Sequence, residues 1–117
     1  MSLQSESPVL FKDKIATSTT LYVPVPIRDG KIGAQISWPD AVSSATITLE
    51  LSSQPVSATV AGAANHWTSE SGVSITGPAA TAAGSVTVNV ENVRQKQARL
   101  KIVTAAVTFL EIWDGLA

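Results

Sequence analysis

The chain has 117 residues, of which 44% are hydrophobic and only 15% charged, with a formal net charge of −1. That length suits one domain burying roughly two-thirds of its unfolded surface, and a pI of 5.7 leaves no electrostatic footprint for nucleic acid. Cysteine is absent, which excludes disulfides and thiolate sites, and no apolar run approaches the ~18 residues of a membrane span.

Met1 to Thr20 is polar apart from the cluster Val9, Leu10 and Phe11. Residues 1–20 read as an extended N-terminal arm whose apolar cluster a neighbour would bind. The arm holds no apolar run of signal-peptide length and is interrupted by Glu6, so synthesis and release in the cytoplasm are expected. Residues 21–117 are expected to form a single domain. In LYVPVPI, Pro24 and Pro26 cannot donate to a ladder, which confines this run to a sheet edge or an extended connection. Arg28-Asp29-Gly30-Lys31 contains an Asp-Gly step, a tight-turn signal. KIGAQISW follows as a strand with Ile32, Ala34 and Ile36 on one face. SATITLELSS alternates cleanly, Ile47, Leu49 and Leu51 inward against Thr46, Thr48 and Glu50 outward.

Pro55 to Ala83 is rich in Ala, Gly, Ser and Thr. Short strands are expected near Ser57–Val60 and Gly72–Thr76, and PAATAAG reads as a loop. Three closing strands follow. Val86, Val88 and Val90 alternate with Thr87 and Asn89; Leu100 and Ile102 alternate with Arg99 and Lys101; Leu110 and Ile112 alternate with Phe109 and Trp113. Joined by a polar turn over Asn92–Lys96, they most simply make an antiparallel meander. Seven to eight short strands punctuated by turns imply an all-β, antiparallel β-sandwich, jelly-roll-like or Ig-like.

The residue pattern offers no catalytic, metal-binding or phosphate-binding signature, and no cofactor is expected. His66 is the sole histidine, and its nearest carboxylate, Glu70, stands at no metal-site spacing. No G-x-S-x-G elbow occurs. Glu50, Glu91 and Glu111 fall on outward strand positions, where solubility is the expected role, and Asp29 and Asp114, each followed by Gly, read as turn formers. Three tryptophans remain. If exposed, Trp38 and Trp67 could stack on sugar rings in a carbohydrate- or receptor-binding module; Trp113, closing the last strand, suits a contact surface.

From Thr46 to Gly115 the chain resembles the small β-sandwich structural modules of tailed-phage virions, of the capsid-decoration or minor-virion type. The likeness rests on TITLELSS, then a Trp in NHWTSESGVSI, the small-residue connection TGPAATAAGS, VTVNVENV, ARLKIVTA and a closing TFLEIWDG. The resemblance implies that Arg99 opens a strand running beside the last one. It further implies a non-enzymatic virion protein that docks on partners such as the major capsid protein. A mean hydropathy of +0.22 with so few charges adds an expectation of self-association, a trimer foremost, since surplus apolar area ends up at interfaces. The expected contact residues are Val9, Leu10, Phe11, Tyr22 and Trp113.

Overall fold

The computed structural model describes residues 9–39, 45–54, 67–75 and 83–115, with the side chains of 70–75 excepted. Eight strands follow in chain order: β1 (Val9–Ile15), β2 (Thr20–Val25), β3 (Ile32–Trp38), β4 (Ala45–Ser52), β5 (Thr68–Ile75), β6 (Gly84–Val90), β7 (Gln97–Thr104) and β8 (Thr108–Asp114). They form two four-stranded antiparallel sheets, β1-β8-β3-β6 and β2-β7-β4-β5. The inward faces of both contribute to one core, which makes the domain a sandwich. The chain changes sheet at every connection except β4–β5. This is jelly-roll order, distinct from the ABED/CFG arrangement of immunoglobulin sandwiches.

The strands form where alternation is strict. In β4 the buried Ala45, Ile47, Leu49 and Leu51 alternate with Thr46, Thr48 and Glu50; in β8 the buried Leu110 and Ile112 alternate with half-buried Phe109, Glu111 and Trp113. Ile36, Ile102, Leu110 and Ile112 have no exposed surface at all. Each such side chain stabilises the fold by about 1.5–3 kcal/mol relative to exposure. Of the run LYVPVPI, Leu21–Val25 falls on β2, an edge strand, as Pro24 requires. Asp29 and Gly30 both take positive φ, 54° and 70°, and Arg28 and Lys31 exchange two 2.9 Å backbone hydrogen bonds across them. That is the geometry of a type I′ turn, used here to pass from one sheet to the other.

Two expectations change. The closing strands are not a meander: β6 and β8 both flank β3, while β7 lies in the opposite sheet between β2 and β4. Arg99 therefore does not open a strand beside the last one. Period-two alternation is identical for a hairpin partner and for a strand that crosses the core, and the connection from Glu91 to Lys96 is long enough to span the ~10 Å between packed sheets. Of the arm expected over residues 1–20, Val9–Ile15 is strand β1, paired with β8 and bulged between Val9 and Phe11. The expected strand near Ser57–Val60 and the loop PAATAAG up to Ala82 lie outside the described residues, as does His66.

Trp38 shows how tightly the interior is fitted. Its register partner on β6 is Gly84, and a Cβ added there would lie 2.7 Å from Trp38 Cζ2. Glycine is required so that the indole can lie across the strand. Gly84→Ala should destabilise the domain by about 1–3 kcal/mol, lowering the midpoint of thermal unfolding by roughly 4–8 °C per kcal/mol. Calorimetry of the variant checks this; an unchanged midpoint would mean that the indole can move aside.

Candidate functional site

A strand pattern puts solvent-facing residues on the outer face of the β2-β7-β4-β5 sheet, yet the structure holds a buried charge there. On β7 the inward residues are Ala98, Leu100, Ile102 and Thr104. Arg99 points outward, but only 2% of it is exposed. Register explains how. Arg99 stands between Pro24 of β2 and Glu50 of β4, and its Nε donates a 2.7 Å hydrogen bond to Glu50 Oε1, the short distance of a charge-assisted bond. Tyr22 shares this face of β2, two residues before Pro24, and Trp67 immediately precedes β5. Both ring centroids lie 4.0 Å from the guanidinium carbon of Arg99.

Arginine fits this position because its guanidinium is planar, weakly hydrated and able to stack on aromatic faces while bonding a carboxylate. A desolvated cation–π contact is worth about 2 kcal/mol, and burying an ion costs several. The contacts and the desolvation therefore nearly offset, and the cluster's main effect is positional. Leaving Arg99 charged and enclosed requires Tyr22, Glu50 and Trp67 to be in place together, which ties β2, β7, β4 and the start of β5 across their outer face. The arrangement has the form of an aromatic cage for a cation, and its occupant is the chain's own side chain. The Trp67 indole is held by its ring face; its buried Nε1 has no hydrogen-bond partner among the described residues.

A second polar contact closes one end of the sandwich. Asp114, at the end of β8, is fully buried and pairs with Arg28 of the β2–β3 turn. Asp29 is a turn residue as expected, whereas Asp114 is a buried ion-pair partner. Nearby, Val93 N–H donates to Gly30 carbonyl at 2.7 Å, docking the β6–β7 connection onto the Asp-Gly turn. An open cleft of about 190 Å³ lies along that connection, lined by Leu51 and the stretch Val90–Gln95.

The structure separates the residues expected to act at a surface. Trp38 is 5% exposed in the core and Trp67 8% exposed against Arg99, so neither offers a ring face to a sugar. Leu10 and Phe11 pack on the core's margin, and Tyr22 is engaged by Arg99. Val9, 45% exposed, is the register partner of half-buried Trp113, whose indole N–H donates a long 3.4 Å hydrogen bond to Glu111. Val9 and Trp113 are the expected contact residues that do meet on an outer face. Glu50 is the clearest departure: expected to serve solubility, it is the half-buried partner of Arg99. Among the described residues no cluster of His, Cys, Asp or Glu could hold a metal ion.

Comparison of the chain with protein-family models, with curated proteins and with solved structures finds no match.

Arg99→Ala should cost about 1–3 kcal/mol in urea titrations, because half-buried Glu50 loses its partner and two aromatic rings lose their cation. Arg99→Lys keeps the charge without the planar stack and should fall between wild type and Arg99→Ala. The double change Glu50→Leu with Arg99→Met, which removes both charges and keeps the volume, should be milder than Arg99→Ala. An additive double variant would show the pair to be uncoupled.

Proposed function

We propose that the chain is a non-enzymatic structural protein of a phage particle, decorating or stabilising the shell by self-association and by docking on neighbouring virion proteins. The observation that carries this reading is the strand order β1-β8-β3-β6 over β2-β7-β4-β5. Viral capsid domains use that jelly roll, as do lectin domains and cupins. A shared fold is an analogy, because one fold hosts many functions; the surface adds support of its own. Val9, Val103 and Val107 are 45%, 39% and 55% exposed, and Val9 lies beside Trp113. An aromatic anchor next to an exposed aliphatic residue is the kind of spot on which interface energy concentrates. The lectin-like reading needs open ring faces, and Trp38 and Trp67 do not supply them.

On a repetitive lattice, many copies of a modest contact add up to firm attachment. Particles purified on a density gradient from a lysate expressing this gene with its neighbours should contain the chain at a fixed ratio to the shell protein, as read by quantitative mass spectrometry. Absence from the particle fraction overturns the reading. Val9→Asp and Trp113→Ala should leave the domain folded while lowering incorporation by roughly tenfold or more, the effect of removing an anchor worth about 2 kcal/mol.

A further inference from the structure

The two sheets present four edge strands, and three of them are blocked against further pairing. β1 carries Lys12, Asp13 and Lys14 and is bulged between Val9 and Phe11. β2 holds Pro24, which has no N–H to offer a new neighbour, and Pro26 follows it. β5, of sequence TSESGVSI, carries Glu70, and its register slips where that residue is skipped between Ser69 and Ser71. Charges, prolines and bulges are the devices that keep edge strands from pairing. β6 has none of them. Its sequence GSVTVNV is uncharged and free of proline, and it runs in unbroken register against β3 from Ile32↔Val90 to Trp38↔Gly84. Among the described residues its other edge has no partner strand.

We propose that the β6 edge is a self-pairing interface, at which two copies of this chain join β6 to β6 antiparallel about a two-fold axis through Thr87. The sequence is complementary to itself in that register. Thr87 meets Thr87 and Ser85 meets Asn89 on the outer face, where all three residue types are exposed. Val86 meets Val88 and Gly84 meets Val90 on the inner face. Directly opposed Thr–Thr and aliphatic pairs are favourable cross-strand combinations, and no like charges face each other anywhere along the seven residues. The pairing continues each β1-β8-β3-β6 sheet into its copy, a form of β-augmentation. Such an isologous contact closes at two copies, where composition had suggested three. This inference deepens the proposed self-association and rests on that part of the reading, whatever particle the chain belongs to.

Size-exclusion chromatography with light scattering across the micromolar range tests it. The wild-type chain should reach twice its 12.2 kDa mass. Thr87→Lys and Thr87→Glu each set like charges on the axis and should be monomers with an unchanged thermal midpoint, while an equimolar mixture of the two should regain the doubled mass. Thr20→Lys, at exposed Thr20 on the β2 edge, should stay dimeric. If Thr87 does not tolerate charge, the double changes Ser85→Lys with Asn89→Lys, and Ser85→Glu with Asn89→Glu, carry the same test. A wild-type monomer at every concentration, charged variants that keep the doubled mass, or a mixture that stays monomeric each overturns the proposal. A dimer missing from purified particles overturns only the virion reading, and a monomer present in them overturns only the edge pairing.

Discussion

Every connection in this domain but one carries the chain across the core, so neither sheet can assemble without the other. β3 needs β6 and β8, which arrive dozens of residues later; β7 needs β2 and β4, which lie far upstream. Only the β4–β5 pair is local. Loop closure must therefore be accomplished before most pairings contribute, and a fold dominated by distant contacts forms slowly. What compensates is the inner face. Ile36, Ile102, Leu110 and Ile112 come from three strands in both sheets and are wholly buried, so each crossing of the chain ends in close-packed aliphatic contact. The fold is held by that layer, and the polar features described above act on a frame that already exists.

The Arg99 cluster shows how polar contacts sharpen such a frame. Hydrophobic alternation fixes which residues of β7 face inward, but it tolerates small shifts in how the outer edges lie. A buried guanidinium tolerates much less, since any displacement that uncouples it from Glu50, Tyr22 or Trp67 leaves a charge without compensation. The Arg28–Asp114 pair, with its arginine partly exposed and its carboxylate buried, links the β2–β3 turn to the end of β8. Both pairs join elements far apart in sequence.

How much of this the sequence discloses follows from the range of each signal. Strand identity and inward face were legible in β3, β4, β6, β7 and β8, because alternation is local and the buried residues are β-branched or leucine. The edge position of β2 was legible because proline acts through its own missing N–H. Sheet membership was not, since Val86–Val90 and Leu100–Ile102 show the same alternation whether their strands form a hairpin or face each other across a core. The role of β1 was hidden for a related reason: Lys12, Asp13 and Lys14 read as solvated arm and are all exposed, while the pairing of β1 with the distant β8 leaves no local signal. Arg99 and Glu50 were legible only as outward residues. Their pairing depends on the register of β7 against β4, and their burial on aromatic residues from β2 and from the start of β5, which no spacing rule connects. Trp38 hides similarly, since the cue was the glycine opposite, forty-six positions downstream.

The two outer faces now carry different implications. Around Arg99, the outer face of β2-β7-β4-β5 is internally occupied: its aromatic rings and its carboxylate are spent on one arginine, and its edges end in proline on β2 and in a bulge on β5. The β1-β8-β3-β6 sheet leaves its specific features unspent, with Trp113 and Val9 near one edge and the uncharged β6 at the other. One sheet is tied across its outer face by a buried arginine, while the other holds its buried carboxylate, Asp114, at the end of β8. The division follows from the strand order itself, because alternating sheets at nearly every connection allows neighbouring stretches of one short chain to serve opposite faces.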